Sequence, residues 1–428
     1  MKVDDVYNDN AAFHQHIAEA LVQRYLSQAH APEGWRETAV WHWRQAGKIL
    51  DAASMSLDIV EMRITRLDFN GARQWAEQAL TLIDALPIKQ HIDLEIRACT
   101  LTLVVLEFGG QYREGVEFGY RLLNAVQQHG SAEGIARAYL TLGRMQREAG
   151  QLSAAEASLR QSCSLADNDE LNELESEARI HLAKVHHLQG RHLEALQQLQ
   201  ISREEYEQND DRIKLAQVFT SIGDVYRVLG SSQEALSLYM RALSFEQSIG
   251  SLLGQAMLKD KLALVMADQG LYDEALGHAE ESLSLRERLR DIVGEARACT
   301  VLGVILGHLD RTEEALQYLQ HASLLQEQVQ NPRGQRIALS NLGDIECRLQ
   351  LFDDAHEHYE RAMMLARQEG DKVGIAQALR RYGDMRFMQG NRDKANIHWA
   401  EALKIREQLG HVDEVLALRE RLQGGLPR

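Results

Sequence analysis

A 40-residue period recurs seven times in this chain without an insertion, and that period constrains the fold more than any other feature. Stepping by 40 from Gly143 meets Ala183, Gly223, Ala263, Gly303, Gly343 and Gly383, always Gly or Ala. Seven residues on stand Gly150, Gly190, Gly230, Gly270, Asp310, Gln350 and Gly390. Five beyond those come Ala155, Ala195, Ala235, Ala275, Ala315, Ala355 and Ala395. Seven more give Ser162, Ser202, Ala242, Ser282, Ala322, Ala362 and Ala402. An RACT at 97–100 returns unchanged at 297–300. Upstream, Gly110 keeps the register while Leu103 fills the small slot. Ala72 and Ala79 continue the pattern, but with a spacing of 43 to Gly115, the extra length falling near Pro87.

Each copy reads as two helices. The first carries apolar residues at i, i+3, i+4 and i+7, as in GIARAYLTLGRMQREAG; a short turn follows, then a second such run. A Gly at the break suits a helix C-cap, where φ is positive and other residues are strained. The Gly/Ala and Ala slots suit helices crossing at about 8–10 Å, where one side must offer no bulk. Buried leucines then hold each pair at roughly 1.5–3 kcal/mol apiece. Of four prolines, Pro32, Pro87 and Pro332 fall in expected connections and Pro427 in the tail. A net charge of −16 excludes a protein that coats nucleic acid or acidic lipid, since both need clustered cations. The four cysteines, Cys99, Cys163, Cys299 and Cys347, form no CxxC pair and read as reduced core thiols. Met1 to Asn10 is polar and acidic, unlike a secretory signal, and no apolar run approaches the ~20 residues of a membrane span. The chain is therefore expected to be soluble and cytoplasmic.

Small residue, turn Gly, Ala, then Ala or Ser on helix pairs resembles the tetratricopeptide repeat; SNLGDIECRLQLFDDAHEHYERAMMLA and TSIGDVYRVLGSSQEALSLYMRALSFE are close to it. The 40-residue form is similar to arrays in MalT-like signalling ATPases of the STAND class, in LGN/Pins-type peptide-binding proteins and, at a slightly different period, in kinesin light chain. The segments FHQHIAEALVQRYL and TAVWHWRQAGKILDAASMSL resemble the helical lead-in of STAND ATPases, although no GxxxxGK[ST] is present. The resemblance implies an all-α, right-handed superhelical solenoid of about nine repeats with a capping helix at each end. Its expected parts are a lead-in at 1–50, the array at 51–411 (40-residue period from about 94) and a cap and tail at 412–428.

In such arrays the first helices line a concave groove. Carried onto this chain, the groove positions lie at −6, −3, −2, +1, +4 and +5 from each small slot. They hold ten cations, Arg137, Arg144, Arg147, Lys184, Arg227, Lys261, Arg297, Arg348, Arg380 and Arg381. Against them stand seven anions, Glu148, Glu177, Asp224, Asp260, Asp268, Asp344 and Asp384. Thr220, Ser221, Thr300, Ser340 and Asn341 lie between; Asn341 and Asp344 match positions that contact a peptide backbone in related arrays. The expected function is non-catalytic: a scaffold or sensor module, in bacterial signalling or regulation, that takes a protein or peptide segment, partly acidic, into a mildly basic groove. The alternative is a STAND-type sensor for a small-molecule inducer. An NTPase or effector domain, in cis or in trans, is the further partner that the STAND likeness implies. No cofactor or catalytic motif is present, and the pairs His14/His16, His186/His187 and His356/His358 lack the helical i, i+3 or i, i+4 spacing of metal ligands. Phe13, Tyr25, Trp35, Trp41 and Trp43 read as the packing of an N-terminal cap or, alternatively, as a docking face.

If the small slot is a helix crossing, Gly223→Leu overpacks it and costs about 1–3 kcal/mol. A far-UV and thermal profile identical to the parent's would contradict the slot assignment.

Overall fold

The computed structural model describes residues 3–424 apart from 29–30, 67, 88–91, 169–170, 330, 369 and 410–411; Pro427 lies outside the described residues. These residues form 21 helices and no strand. Four helices come first: α1 (Val3–Tyr25), α2 (Trp35–Gln45), α3 (Ile49–Thr65) and α4 (Phe69–Asp84). From α5 (Ile92–Phe108) and α6 (Tyr112–His129) onward the helix starts keep the 40-residue period. First helices are α7 (Ala132–Glu148), α9 (Asn172–Leu188), α11 (Arg212–Val228), α13 (Leu252–Asp268), α15 (Ile292–His308), α17 (Pro332–Arg348) and α19 (Lys372–Met388). Second helices are α8 (Leu152–Asn168), α10 (His192–Gln208), α12 (Ser232–Ile249), α14 (Tyr272–Leu289), α16 (Thr312–Gln328), α18 (Phe352–Gln368) and α20 (Arg392–Leu409). The chain closes with α21 (Val412–Gly424). The step from α3 to α5 is 43 residues, where the sequence places its extra length.

The chain forms two compact units, Met1–Met145 and Gln146–Arg428. In unit 1, Trp35 and Trp43 are buried in the core with Ala18, Val40 and Ile59, whereas Phe13 and Trp41 are more than half exposed. The N-terminal aromatics thus divide between core and surface.

In unit 2 the helix pairs close as the slots require. A Cβ on Gly223 would stand 2.6 Å from Tyr239 Cε1, and one on Gly343 would stand 2.6 Å from Tyr359 Cε1. Gly303 leaves the same room for Leu319 and Gly383 for Trp399, so the partner lies sixteen residues on in each case. The seven invariant alanines, Ala155 to Ala395, are all fully buried. The turn position adopts positive φ at Gly150, Gly190, Gly230, Gly270 and Gly390, and also at Asp310 (57°) and Gln350 (60°). The turn geometry is imposed by the pair and holds even where no Gly relieves it.

A second periodic device escaped the sequence reading. Ser131, Asp211, Ser251, Asp291, Asn331 and Asp371 each accept a hydrogen bond, 2.9–3.1 Å long, from the backbone N–H three residues on. These side chains satisfy one of the otherwise unpaired amides that open a first helix. Except at Lys214, the donor is a Gly, and at several of these the preceding helix lays a side chain in the vacated space: Glu246 over Gly254, Arg286 over Gly294, Gln326 over Gly334. Pro332 is the first residue of α17 rather than part of a connection, a position where its missing N–H costs nothing.

One contact in unit 2 spans far more sequence than a repeat. Glu148, at the end of α7, is paired with both Arg147 and Arg333, the latter 185 residues away. Burial alone would push the Glu148 carboxyl up, but Arg147 and Arg333 hold it down at about 2. Gly150 lies against Val373 beside it.

A side chain in left-handed backbone costs about 1–2 kcal/mol, partly offset by the 0.5–1 kcal/mol entropy penalty of Gly. Gln350→Gly is therefore expected to stabilise by about 0.5–1 kcal/mol. Gly230→Ala is expected to destabilise by about 1 kcal/mol. Thermal unfolding followed by circular dichroism reads both signs.

Candidate functional site

Within unit 2, successive first helices pack directly on one another, α9 on α11, α13 on α15, α15 on α17 and α17 on α19. Successive second helices approach less closely among the described residues. The first helices are therefore the inner wall. Small residues allow it: Gly307 leaves space for Ile345, and Arg348 donates to the Gly307 carbonyl at 2.9 Å.

The wall's charges are paired by a rule. At +1 from the slot, Asp224 accepts from Tyr239 Oη at 2.7 Å and from Lys261 Nζ at 2.7 and 2.9 Å. Asp344 accepts from Tyr359 Oη at 2.6 Å and pairs with Arg381 at 3.0 Å. Asp384 accepts from Trp399 Nε1 and from Arg421 Nε, both at 2.9 Å. The aromatic is the ring that fills the Gly slot, and the cation comes 37 residues after the Asp, from the next first helix or from α21. In the remaining repeats the +1 residue is Arg144, Lys184, Leu264 or Val304, the ring position holds Leu159, Leu199, Ala279 or Leu319, and no Lys or Arg follows at the third site. Three residues far apart in sequence thus change together, a signal visible in the sequence once the geometry is known.

This pairing revises the groove charges. Arg381 also donates to Asn341 at 3.2 Å, so Asn341 and Asp344 are held by the wall itself. Arg380 pairs with Asp384 at 2.9 Å and Arg227 with Asp268 at 2.8 Å. Thr220 and Thr300 turn their hydroxyls onto the carbonyls of Ala216 and Ala296. Arg137 and Arg144 belong to unit 1, where they pair with Glu133 and Glu107. Asp260 does not line the groove: it is 4% exposed and accepts from Arg286 at 2.6 Å, on the flank facing α14. Burial pushes its carboxyl up and Arg286 opposes that. The basic excess expected from the sequence is largely cancelled inside the wall.

Two features stand apart from these pairs. Lys184 is half-buried, and burial, then Arg147, hold its ammonium down at about 8. Between the staples, Leu264 and Val304 sit at the +1 position, half-buried, beside Ala267 and Gly307. Sequence reasoning selected charged groove residues and so passed over this apolar stretch.

Among the described residues no cluster of three or more His, Cys, Asp or Glu is placed to hold a metal. His358 instead bonds Glu346 at 2.8 Å, and His356 bonds the Tyr382 hydroxyl. The four cysteines are free; burial pushes Cys99 and Cys299 up to about 12 and Cys163 and Cys347 up to about 11, which leaves them unreactive. No described helix is long and apolar enough to cross a membrane.

A family model of the tetratricopeptide repeat matches residues 175–247, 254–328 and 334–408, and a second such model matches 136–169. Among solved structures, a Rap protein complexed with competence and sporulation factor is 14% identical, over 79% of this chain and 97% of that one, with a TM-score of 0.52. The Rap conjugation gene regulator of plasmid pLS20, in complex with the Phr* peptide, is 13% identical over 85% of this chain and 97% of that one, with a TM-score of 0.54. At these identities the likeness concerns the fold. Comparison with curated proteins gave no match.

Removing one staple carboxylate strands a buried ring N–H and a guanidinium at once. Hydrogen bonds to charged groups are worth about 1.5–3 kcal/mol, so Asp384→Ala is expected to lower stability by about 2 kcal/mol. Amide exchange should rise first in α21, which loses its Arg421 anchor; unchanged exchange there would refute the staple.

Proposed function

The chain belongs to the tetratricopeptide repeat family, and we propose that the inner wall of its second unit is a non-catalytic groove for a segment of protein or peptide. The observation that carries this reading is the lining. Its paired charges are already satisfied by one another, while Leu264 and Val304 offer apolar surface between an ammonium at Lys184 and the staple at Asp344. Such a wall gains most from a partner that brings apolar side chains and one anionic group. Packed helices are spaced by about 8–10 Å, so Lys184 and Leu264, two repeats apart, are separated by roughly 20 Å along the wall. About six extended residues cover that length. The two Rap structures are complexes with a factor and with a peptide, which fits this use of the fold.

In this reading residues 1–50 serve as a lead-in and 412–428 as a cap. A regulatory or signalling context rests on the STAND-like N-terminal segment, and four free thiols fit a reducing, cytoplasmic setting. A small-molecule inducer is less well served. The cavity among Ala376, Gln377, Arg380, Arg406, Leu418 and Arg421 measures about 200 Å³, below the ~300–1,000 Å³ usual for such ligands, and the larger hollow of about 470 Å³ is lined by residues of α12 alone, from Gln233 to Ser244, rather than by the inner wall.

Panning a random peptide display library against the whole chain tests the groove. Peptides carrying an acidic residue about six positions from apolar ones should be enriched. They should bind the Leu264→Asp, Val304→Asp double variant at least about tenfold more weakly, a loss of about 1.4 kcal/mol. Equal capture by a folded double variant would place the interface elsewhere.

A further inference from the structure

Two imidazoles face each other across a single turn between helices. His187 is the next-to-last residue of α9 and His192 the first of α10, and the chain reverses between them at Gly190, whose φ is 75°. Their Nδ1 atoms lie 3.2 Å apart and their ring centres 5.1 Å apart. Both rings are half-buried rather than enclosed. Zinc takes imidazole nitrogen at about 2.0–2.1 Å in tetrahedral geometry, which sets two ligating nitrogens about 3.3 Å apart and their ring centres about 5.2 Å apart. A head-on hydrogen bond of the observed length would instead hold the centres about 5.5 Å apart. The geometry is therefore that of two lone pairs converging on one point. At His14 and His42, by contrast, the Nδ1 atoms are 2.7 Å apart, too close for that bite and in ordinary hydrogen-bond range. The turn itself does not call for imidazoles. In the six other repeats of the period neither position is His, and Arg227 with Ser232, or Gly307 with Thr312, serves the same turn. The adjacent His186 takes no part: it is 2% exposed and lies 3.1 Å from Glu194.

We propose that His187 and His192 form a two-imidazole chelate for a divalent ion of the zinc class, bound through both Nδ1 atoms. Coordination needs a bare ring nitrogen, and burial, then His192, lowers His187 so that its ring is neutral near pH 7. The charges that face His187 are largely cancelled in pairs. Asp224 and Arg227 reach it from α11 and Lys261 from α13; Arg227 is held by Asp268 and Lys261 by Asp224. Arg191, in the turn, pairs with Glu156 and Glu194. Lys184, one turn back along α9, adds a positive charge, which burial and Arg147 already weaken by holding the ammonium down at about 8. Among the described residues no group of three or more His, Cys, Asp or Glu is placed around one ion, so the chain supplies two of four ligands and leaves the rest to water. Nitrogen pairs suit zinc, nickel and copper, whereas magnesium and calcium take oxygen ligands. An ion here ties the end of α9 to the start of α10, and the site stands whether or not the inner wall takes a peptide.

Carbethoxylation of the full chain with diethyl pyrocarbonate, followed by peptide mass mapping, reads each histidine separately. The chain is stripped with a chelator and then treated alone, with zinc chloride, with copper(II) chloride and with magnesium chloride, all at constant ionic strength. Ligation through Nδ1 leaves the ring proton on Nε2 and no bare nitrogen to react. Zinc is therefore expected to slow modification of His187 and His192 at least about tenfold, at a concentration that leaves the exposed His321 unprotected. Copper(II) should protect the same two residues at lower concentration than zinc, and magnesium should protect neither. In isothermal titration with zinc, His187→Gln and His192→Gln should each weaken the tightest binding event by at least about tenfold, with the metal-free melting temperature unchanged. Protection of His187 and His192 no greater than that of His321 overturns the proposal and leaves an adventitious ion only. Zinc affinity unchanged in both folded variants overturns it equally. Should a variant fail to fold, the protection pattern of the parent chain decides alone.

Discussion

The absence of a side chain at one position per repeat is what the remaining structure depends on. At three of the Gly slots a ring from the second helix lies across the first, Tyr239 over Gly223, Tyr359 over Gly343 and Trp399 over Gly383. The ring brings its Oη or Nε1 to the edge of the first helix, one residue past the slot, where only an acceptor is tolerable. Asp224, Asp344 and Asp384 supply it. A half-buried carboxylate then calls for a cation, and the nearest place to mount one is the neighbouring first helix. Steric relief, hydrogen bonding and repeat-to-repeat adhesion are thus consecutive consequences of one missing Cβ.

The seam behind the wall follows a different logic. Arg286 is 1% exposed, lies over Gly294 and bridges Asp260 and Asp291. One oxygen of Asp260 has no hydrogen-bond partner among the described residues. A buried pair of this kind is a weak source of stability, because desolvation offsets most of its attraction. It does disfavour a slipped register, since any shift would strand both charges. The apolar seams elsewhere, such as Leu319 on Gly303, lack that penalty.

Much of the fold was legible because sterics wrote it at fixed positions. Ala155 to Ala395 are small because nothing larger fits, so the period can be read from one chain. The turn survives as positive φ at Asp310 and Gln350, which shows that the geometry is set by the helix pair and the Gly merely suits it. The candidate site was less legible. A charged residue at a groove offset carries no local mark of whether it faces the groove or a neighbour 37 residues away; Arg381 and Lys261 looked free and are paired. Asp260 sat at a nominal groove offset, but the buried guanidinium that claims it stands 26 residues on, in a second helix. Leu264 and Val304 drew no notice because apolar residues in a helix are read as core by default.

Solenoids are commonly treated as chains of nearest-neighbour couplings, in which each module senses just the two beside it. The Glu148–Arg333 pair and the Gly150–Val373 contact add a bond between modules that are not adjacent. Unit 2 is in that respect closer to a closed loop than to a stack of coins. Excising one whole 40-residue module would preserve every local interface yet carry Arg333 away from Glu148, so modular length is itself under physical constraint. Melting should accordingly be more concerted than an open array of the same number of modules would allow.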